Sequence, residues 1–205
     1  MIVNWPERIW VNSPVRRYVQ QQEGRFFRRM STLAPGGKCL EIGCGCGVGA
    51  KIINQAFAPA AIHALDLDVD MLYAAKKKKN GWNNVPLHLL AGDAQELPYP
   101  DRCFDAVFNY GIIHHLENWQ KGVAEIVRVL KDGGVFFFEE IYPPLYANPL
   151  FRRILQHPRE NRFHGPEYRA ALAESGLRLL DGYKESRFAI LGVAVKESEE
   201  CEVRM

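Results

Sequence analysis

The chain has 205 residues, 47% of them apolar and 24% charged, with a formal net charge of +2. That is a globular balance with ample material for a core, and so small a net charge gives no field over the whole molecule to draw nucleic acid. No apolar run approaches the roughly 20 residues of a membrane span, the N-terminus lacks a basic-then-apolar secretory pattern, and five cysteines, an odd number, do not make a secreted disulfide framework.

Residues 1–12 show no periodic pattern and read as irregular. Ser13-Pro14 is an N-cap followed by proline at the first helical position. Val15 to Met30 is then expected to be helical, with Val15, Tyr18, Val19, Gln22, Phe26 and Met30 on its packed face. Arg16, Arg17, Arg25, Arg28 and Arg29 fall on the remainder. After Pro35-Gly36-Gly37, strands and helices alternate. The strands are Cys39–Ile42, Ala61–Leu65, Leu87–Ala91, Phe104–Asn109 and Val135–Glu139; the helices are Val48–Phe57, Val69–Lys79 and Trp119–Leu130. The last of these helices is expected to stop at Asp132-Gly133-Gly134. Such alternation argues for a parallel sheet covered on both faces. The rhythm then changes: a proline-rich aromatic segment, a helix over Pro166–Ser175, and strands over Leu177–Tyr183 and Phe188–Val195. Two strands so close can pair only antiparallel. The tail from Glu197 is charged and reads as frayed. No repeat or linker divides the chain. A single domain over 1–205 is expected, with a helical cover at 1–34, a core at 35–140, a covering insertion at 141–166 and a last helix and hairpin at 167–205.

The most informative stretch is Glu41-Ile42-Gly43-Cys44-Gly45-Cys46-Gly47, directly after one strand and before a helix. Glycines there let the backbone turn sharply and approach a ligand, and the helix that follows offers free N–H groups and a positive dipole end. The turn alone does not name its ligand, because Gly45-Cys46-Gly47-Val48-Gly49-Ala50 also satisfies a dinucleotide-binding pattern. Asp66, at the end of the second strand, suits two ribose hydroxyls in either case, and Asp68 is the better helix cap. Asp93, after the third strand, is placed to accept from an adenine amine while the Ala94 N–H donates to a ring nitrogen.

These segments, together with Leu65-Asp66-Leu67-Asp68, Gly92-Asp93-Ala94-Gln95-Glu96-Leu97-Pro98, Phe104-Asp105-Ala106-Val107, Ile113-His114-His115-Leu116 and Glu125 to Gly134, resemble the class I S-adenosylmethionine-dependent methyltransferases over about residues 38–140. The closest flavour is the ubiquinone/menaquinone-biosynthesis group. The resemblance implies a Rossmann-like α/β three-layer sandwich with a seven-stranded, mostly parallel sheet and an antiparallel last strand. It implies S-adenosylmethionine as cofactor, with Glu41, Gly43, Cys44, Gly45 and Gly47 at its methionine portion. Asp66 and Leu67 would hold the ribose, Asp93 and Ala94 the adenine, and Asn109 and Tyr110, with Gly111, the amino group and methyl donor. Cys46 stands where the family often has a small polar residue.

The reaction expected is in-line transfer of a methyl group to a small acceptor, apolar or aromatic, since aromatic residues alternate with arginines between Tyr142 and Tyr168. If the acceptor needs a base, His114 is the first candidate, with His157 and His164 behind it. Rival readings are a nicotinamide-dependent oxidoreductase on the same turn and a cofactor-binding protein without catalysis. Cys44 and Cys46 point apart on a turn and have no second ligand pair, so no metal is expected. Lys76 to Lys79 closes a helix, where cations face the negative dipole end, and reads as a solvated helix end. No nucleic-acid or membrane partner is expected, and the cytoplasm is the expected location.

Overall fold

The computed structural model describes residues 4–78, 85–146, 158 and 160–198. Lys79, Phe151, Arg152, Arg153, His157, Arg159 and Cys201, all singled out in the sequence, lie outside these. The strands are β1 (Lys38–Ile42), β2 (Ala61–Asp66), β3 (Leu87–Ala91), β4 (Phe104–Tyr110), β5 (Leu130–Ile141), β6 (Leu177–Leu179), β7 (Lys184–Glu185) and β8 (Ala189–Lys196). They form one sheet in the order β3-β2-β1-β4-β5-β8-β6, with β7 pairing only with β8. Strands β1 to β5 run parallel, and β8 lies antiparallel to both β5 and β6. The mostly parallel sheet with an antiparallel closing strand is therefore present. The expected strand Leu177–Tyr183 is shortened to β6 by a turn in which Gly182 has φ +92°, and β7 falls in the segment expected as the connecting turn.

The sheet is buried on both sides, and β5 shows how the sequence achieves this. Phe136 and Phe138 stack on each other, with ring centroids 5.1 Å apart, and join the cluster of Trp119, Ile126, Phe163 and Tyr168. Phe137 points the other way and stacks on Phe108 at 4.4 Å, within the cluster of Phe27, Ile53 and Phe57. Successive side chains of a strand alternate between faces, so a run of three phenylalanines feeds both cores. The helices that cover these faces include α2 (Pro14–Met30) and α3 (Val48–Phe57) on the Phe137 side, and α5 (Trp119–Val129) and α7 (Gly165–Glu174) on the other.

Three local departures from the sequence reading have physical causes. Residues Trp5–Val11 form a helix, α1, capped by the Asn4 side chain accepting from the Glu7 N–H. Seven residues are too few to show a period; the ion pair from Arg8 to Asp68 helps to hold it in place. Helix α5 ends at Val129 rather than at the glycines. Leu130 is already extended, and Asp132 to Gly134 lie within β5, where the pairing with β4 shifts register. Gly133, at φ +72°, absorbs that irregularity. Lys196 of β8 donates to the Val127 and Leu130 carbonyls at 2.9 Å each, satisfying acceptors left open at the end of α5. Finally, α2 buries only the C-terminal part of the face its apolar residues suggest. Val15, Tyr18 and Val19 are exposed, whereas Phe26 is buried and Met30 packs on the core as expected, and Glu23, Gly24 and Phe27 are buried beside them.

Candidate functional site

The strand order reverses between β1 and β4, and in open α/β sheets the crevice outside the carboxyl ends at such a switch point is where ligands bind. A cleft lies there, with about 1020 Å³ of space when its open mouth is included. Gly43, Cys44, Gly45, Asp66, Leu67, Asp93, Ala94 and Tyr110 all line it, as does Gly111. Glu41, Gly47, Asn109 and His114 do not.

The glycines of the turn have separate reasons to be there. Gly43 sits at φ +64°, and a Cβ on it would stand 2.3 Å from the Ile112 Cγ2, so it permits close packing of the turn on the loop after β4. Gly47, the left-handed N-cap of α3, packs on Ala75 of α4 (Val69–Lys78). Gly45, at φ +50°, has nothing within 4 Å of a built Cβ: here bare backbone faces open space, as a ligand-cradling turn requires. Gly47, the N-cap of α3, brings no side chain to its first turn; there the Ala50 N–H is taken by Glu41 from beneath.

Asp66 ends β2 facing this turn. One of its oxygens accepts from the Gly45 N–H at 2.7 Å and the other from the Asp68 N–H at 2.8 Å. Each carboxylate oxygen has capacity for a further donor, so the group is held in place and still able to bind. Burial pushes its carboxyl above the usual range, against the opposing pull of the Gly45 and Leu67 N–H groups. Asp68 caps α4 by accepting from the Asp70 N–H at 3.0 Å, as expected. Asp93 accepts from the Gln95 N–H at 2.8 Å on the third wall of the cleft.

Glu41 lies beneath the turn, buried, with Oε1 directly under Gly49. Burial first, and the nearby Asp66 charge second, hold its carboxyl well above the usual range, while the Ala50 N–H opposes them. Asn109 is also structural. Its amide donates to Glu140 at 2.6 Å and its oxygen accepts from the Ile112 N–H at 2.9 Å, which shapes the loop that carries Tyr110 and Gly111 into the cleft. Glu140, fully buried, accepts in addition from the Ile113 and His114 N–H groups and pairs with His114 Nδ1 at 2.6 Å. His114 is thus turned away from the cleft into a buried cluster with Tyr146. Its neighbour His115 lines the cleft instead, with Nε2 3.3 Å from Glu7 Oε1.

The side of the cleft opposite the glycine turn is built by the N-terminal helices: Val11, Asn12, Arg16 and Gln20 line it. Arg16, read from the sequence as lying off the packed face of its helix, is half-buried, donating to Glu23 at 2.6 Å and to Glu139 and the Tyr110 carbonyl at 3.0 Å. Burial opposes its charge, but Glu139 and Glu23 together hold the guanidinium more firmly protonated. Burial, with Glu139 adding to it, pushes the Glu23 carboxyl up to about 8. Arg16, Gln20 and Glu23 recur at helical spacing; that spacing was the available signal for a buried polar stripe. Of the aromatic residues of the expected cover within the described part, Tyr142, Phe163 and Tyr168 are core residues packed around Trp119, Tyr146 is buried against His114, and His164 caps α7.

Residues 40–138 match the methyltransferase domain family. Over these residues, just under half of the chain, it is similar to the class I S-adenosylmethionine-dependent methyltransferases. A fatty-acid O-methyltransferase of Mycolicibacterium smegmatis is 33% identical over 71% of this chain and 45% of its own length. A phthiotriol/phenolphthiotriol dimycocerosates methyltransferase of Mycobacterium tuberculosis is 34% identical over 58% of this chain and 43% of its own. The chain therefore spans under half the length of these curated relatives, and both are named for lipids, not quinones. Among solved structures, a SAM-dependent methyltransferase from Aquifex aeolicus superposes with a TM-score of 0.69 at 19% identity, covering 93% of this chain and 97% of that one. At that identity the likeness establishes the fold. No described helix is long and apolar enough to cross a membrane.

Proposed function

We propose that the protein transfers the methyl group of S-adenosylmethionine to an oxygen atom of an apolar, lipid-like acceptor. The observation that carries this reading is the mixed lining of the cleft. A polar cradle of Gly43 to Cys46, Asp66, Asp93 and Ala94 shares it with the apolar side chains of Val11, Ile112 and Leu116. The relatives named for fatty-acid and phthiotriol substrates support the acceptor class, and the first of them supports oxygen as the atom methylated. The family assignment does not favour the dinucleotide reading of the turn.

In this reading the Gly45 backbone and the first turn of α3 receive the methionine portion of the cofactor, and Asp66 receives the ribose. Asp93 with the Ala94 N–H receives the adenine, and Tyr110 and Gly111 the amino group. Glu41 and Asn109 act one layer back, by fixing the two turns. When bound, the cofactor supplies a methyl group on positively charged sulfur, already an electrophile. The work left to the chain is to align the acceptor behind that methyl group and to keep water away. Arg16, Gln20 and Val11, on helices that cross the cleft, are placed to do both.

The test is to incubate the protein with S-adenosylmethionine labelled in the methyl group and a total lipid extract, then to identify the labelled product by mass spectrometry. Label in an apolar ester or ether is expected. Label confined to water-soluble metabolites or protein would refute the acceptor class. A melting-temperature rise with NAD and none with S-adenosylhomocysteine would refute the cofactor.

A further inference from the structure

The two lipid relatives pose a chemical choice. A fatty acid offers a carboxylate, which is an anion at neutral pH and can attack without help. An alcohol must lose a proton as it is methylated. The far wall of the cleft bears on that choice. His115 is buried and lines the cleft between Ile112 and Leu116. Its Nε2 lies 3.3 Å from Oε1 of Glu7, a buried carboxyl on α1 that does not itself line the cleft. A histidine facing the reaction space, backed by a carboxyl group that orients it, is the arrangement of a general base. A carboxylate acceptor needs no such device and would meet the Glu7 charge close behind the imidazole.

We propose that the acceptor reacts through a hydroxyl group, with His115 as the catalytic residue that takes its proton and Glu7 as the positioning residue behind it. The inference rests on the reading above, that the chain methylates an apolar acceptor at oxygen. The bond from acceptor oxygen to methyl carbon forms as the carbon–sulfur bond breaks, and the electron pair of that bond stays on sulfur. The hydroxyl proton passes to the His115–Glu7 pair and from there to solvent. Burial pushes the Glu7 carboxyl up to about 7, opposed by the nearby His114. The Glu7 carboxyl therefore changes charge near neutrality, where a base is most effective. The other titratable and charged groups around it are His114 on the same turn, Glu140 of β5 behind His114, Tyr146 of α6 (Pro143–Tyr146), and Arg16 and Asp68 on the cleft walls.

The experiment compares hexadecanol and hexadecanoic acid, in detergent micelles, as methyl acceptors for the wild-type chain, Glu7→Gln and His115→Asn. Affinity for S-adenosylhomocysteine is measured by calorimetry on each variant to report whether the cleft is intact. Methylation of hexadecanol is expected, with kcat/KM rising through about pH 7 in the wild type. Both variants should lose at least about 100-fold, keep the affinity for S-adenosylhomocysteine, and lose that acid limb. Imidazole nitrogen spectra without any acceptor give a second readout: Glu7→Gln should change the His115 signals. If Glu7→Gln fails to fold, His115→Asn carries the test. Methylation of the acid but not the alcohol would overturn this inference while leaving the proposed function standing. Alcohol turnover insensitive to both substitutions would overturn it in the same way. If neither probe is methylated while S-adenosylhomocysteine binds, both readings fall.

Discussion

Replacing Asp66 by asparagine separates two jobs that the structure gives one side chain. The carboxylate accepts from Gly45 at 2.7 Å and from Asp68 at 2.8 Å, one amide on each oxygen. Asparagine keeps the shape but can accept only on one side; its NH2 must then confront the other amide. The variant therefore orphans one backbone N–H, which costs on the order of 1–3 kcal/mol. In the proposed complex it also loses at least one charge-assisted bond to a ribose hydroxyl, worth roughly 1.5–3 kcal/mol, or a tenfold to hundredfold weakening. Calorimetric titration with S-adenosylhomocysteine measures the second quantity and urea unfolding the first. The expected result is a weaker complex together with a modest loss of stability. A less stable protein that still binds S-adenosylhomocysteine at wild-type strength would show that Asp66 only braces the turn, and the ribose assignment would be abandoned.

Gly43→Ala drives a Cβ to 2.3 Å from Ile112 and should lower the unfolding free energy, whereas Gly45→Ala projects into open space and should weaken S-adenosylhomocysteine more than it weakens the fold; equal effects in melting and titration would contradict this division. Glu23 has a folded value of about 8 against 4.5 for the free group. The folded state therefore holds a proton that the unfolded state gives up, and the stability this contributes is lost as pH rises through that window. His63, lowered to about 4 by burial and then by Lys38 and His88, acts in the opposite direction only at lower pH. Between pH 6.5 and 8.5 the melting temperature should thus fall, and Glu23→Gln should flatten the slope; an unchanged slope would remove Glu23 as its source. Lys196→Met leaves the Val127 and Leu130 carbonyls without their cation, and should cost on the order of 1–3 kcal/mol in urea unfolding; wild-type stability would show that solvent replaces the ammonium.

The half of the cleft proposed to hold the cofactor was legible because its signals are local. A glycine turn between a strand and a helix, and aspartates at the ends of the next two strands, are brought together by the parallel sheet itself. The strand order was legible for the same reason, since alternation with helices dictates parallel pairing. The other half depends on tertiary placement, which periodicity does not report. Trp5–Val11 is too short to show a pattern. In α2 the apolar positions Val15, Tyr18 and Val19 suggested one buried face, but the helix turns Arg16 and Glu23 inward because Glu139, at the end of β5, supplies a partner for the guanidinium. The choice between His114 and His115 could not be read at all. Adjacent residues on a tight turn diverge, and Glu140, a polar residue at the end of a phenylalanine run, captures the first and leaves the second facing the cleft.

The polar groups under the cleft share one electrostatic problem. Glu23 and Glu41 are buried and Glu139 half-buried close to the loop of Tyr110 and Gly111, and one guanidinium, Arg16, pairs with Glu23 and Glu139. A buried carboxylate without full compensation gives up its charge, and burial accordingly raises all three groups, most strongly Glu41. A carboxyl of Glu139 lies so near Gly111 that a Cβ there would stand 2.6 Å from its Oε2; little separates this acid from the space above. An anionic ligand placed in that space would drive the cluster further toward protonation. A ligand bringing positive charge, as a sulfonium with an ammonium group does, would instead stabilise the ionised carboxylates and be stabilised by them. The surplus of acids over Arg16 is costly to the empty fold in the same measure that it favours a cation. This asymmetry distinguishes the site from the phosphate-binding use of a similar glycine turn, where a diphosphate would face the same carboxylates.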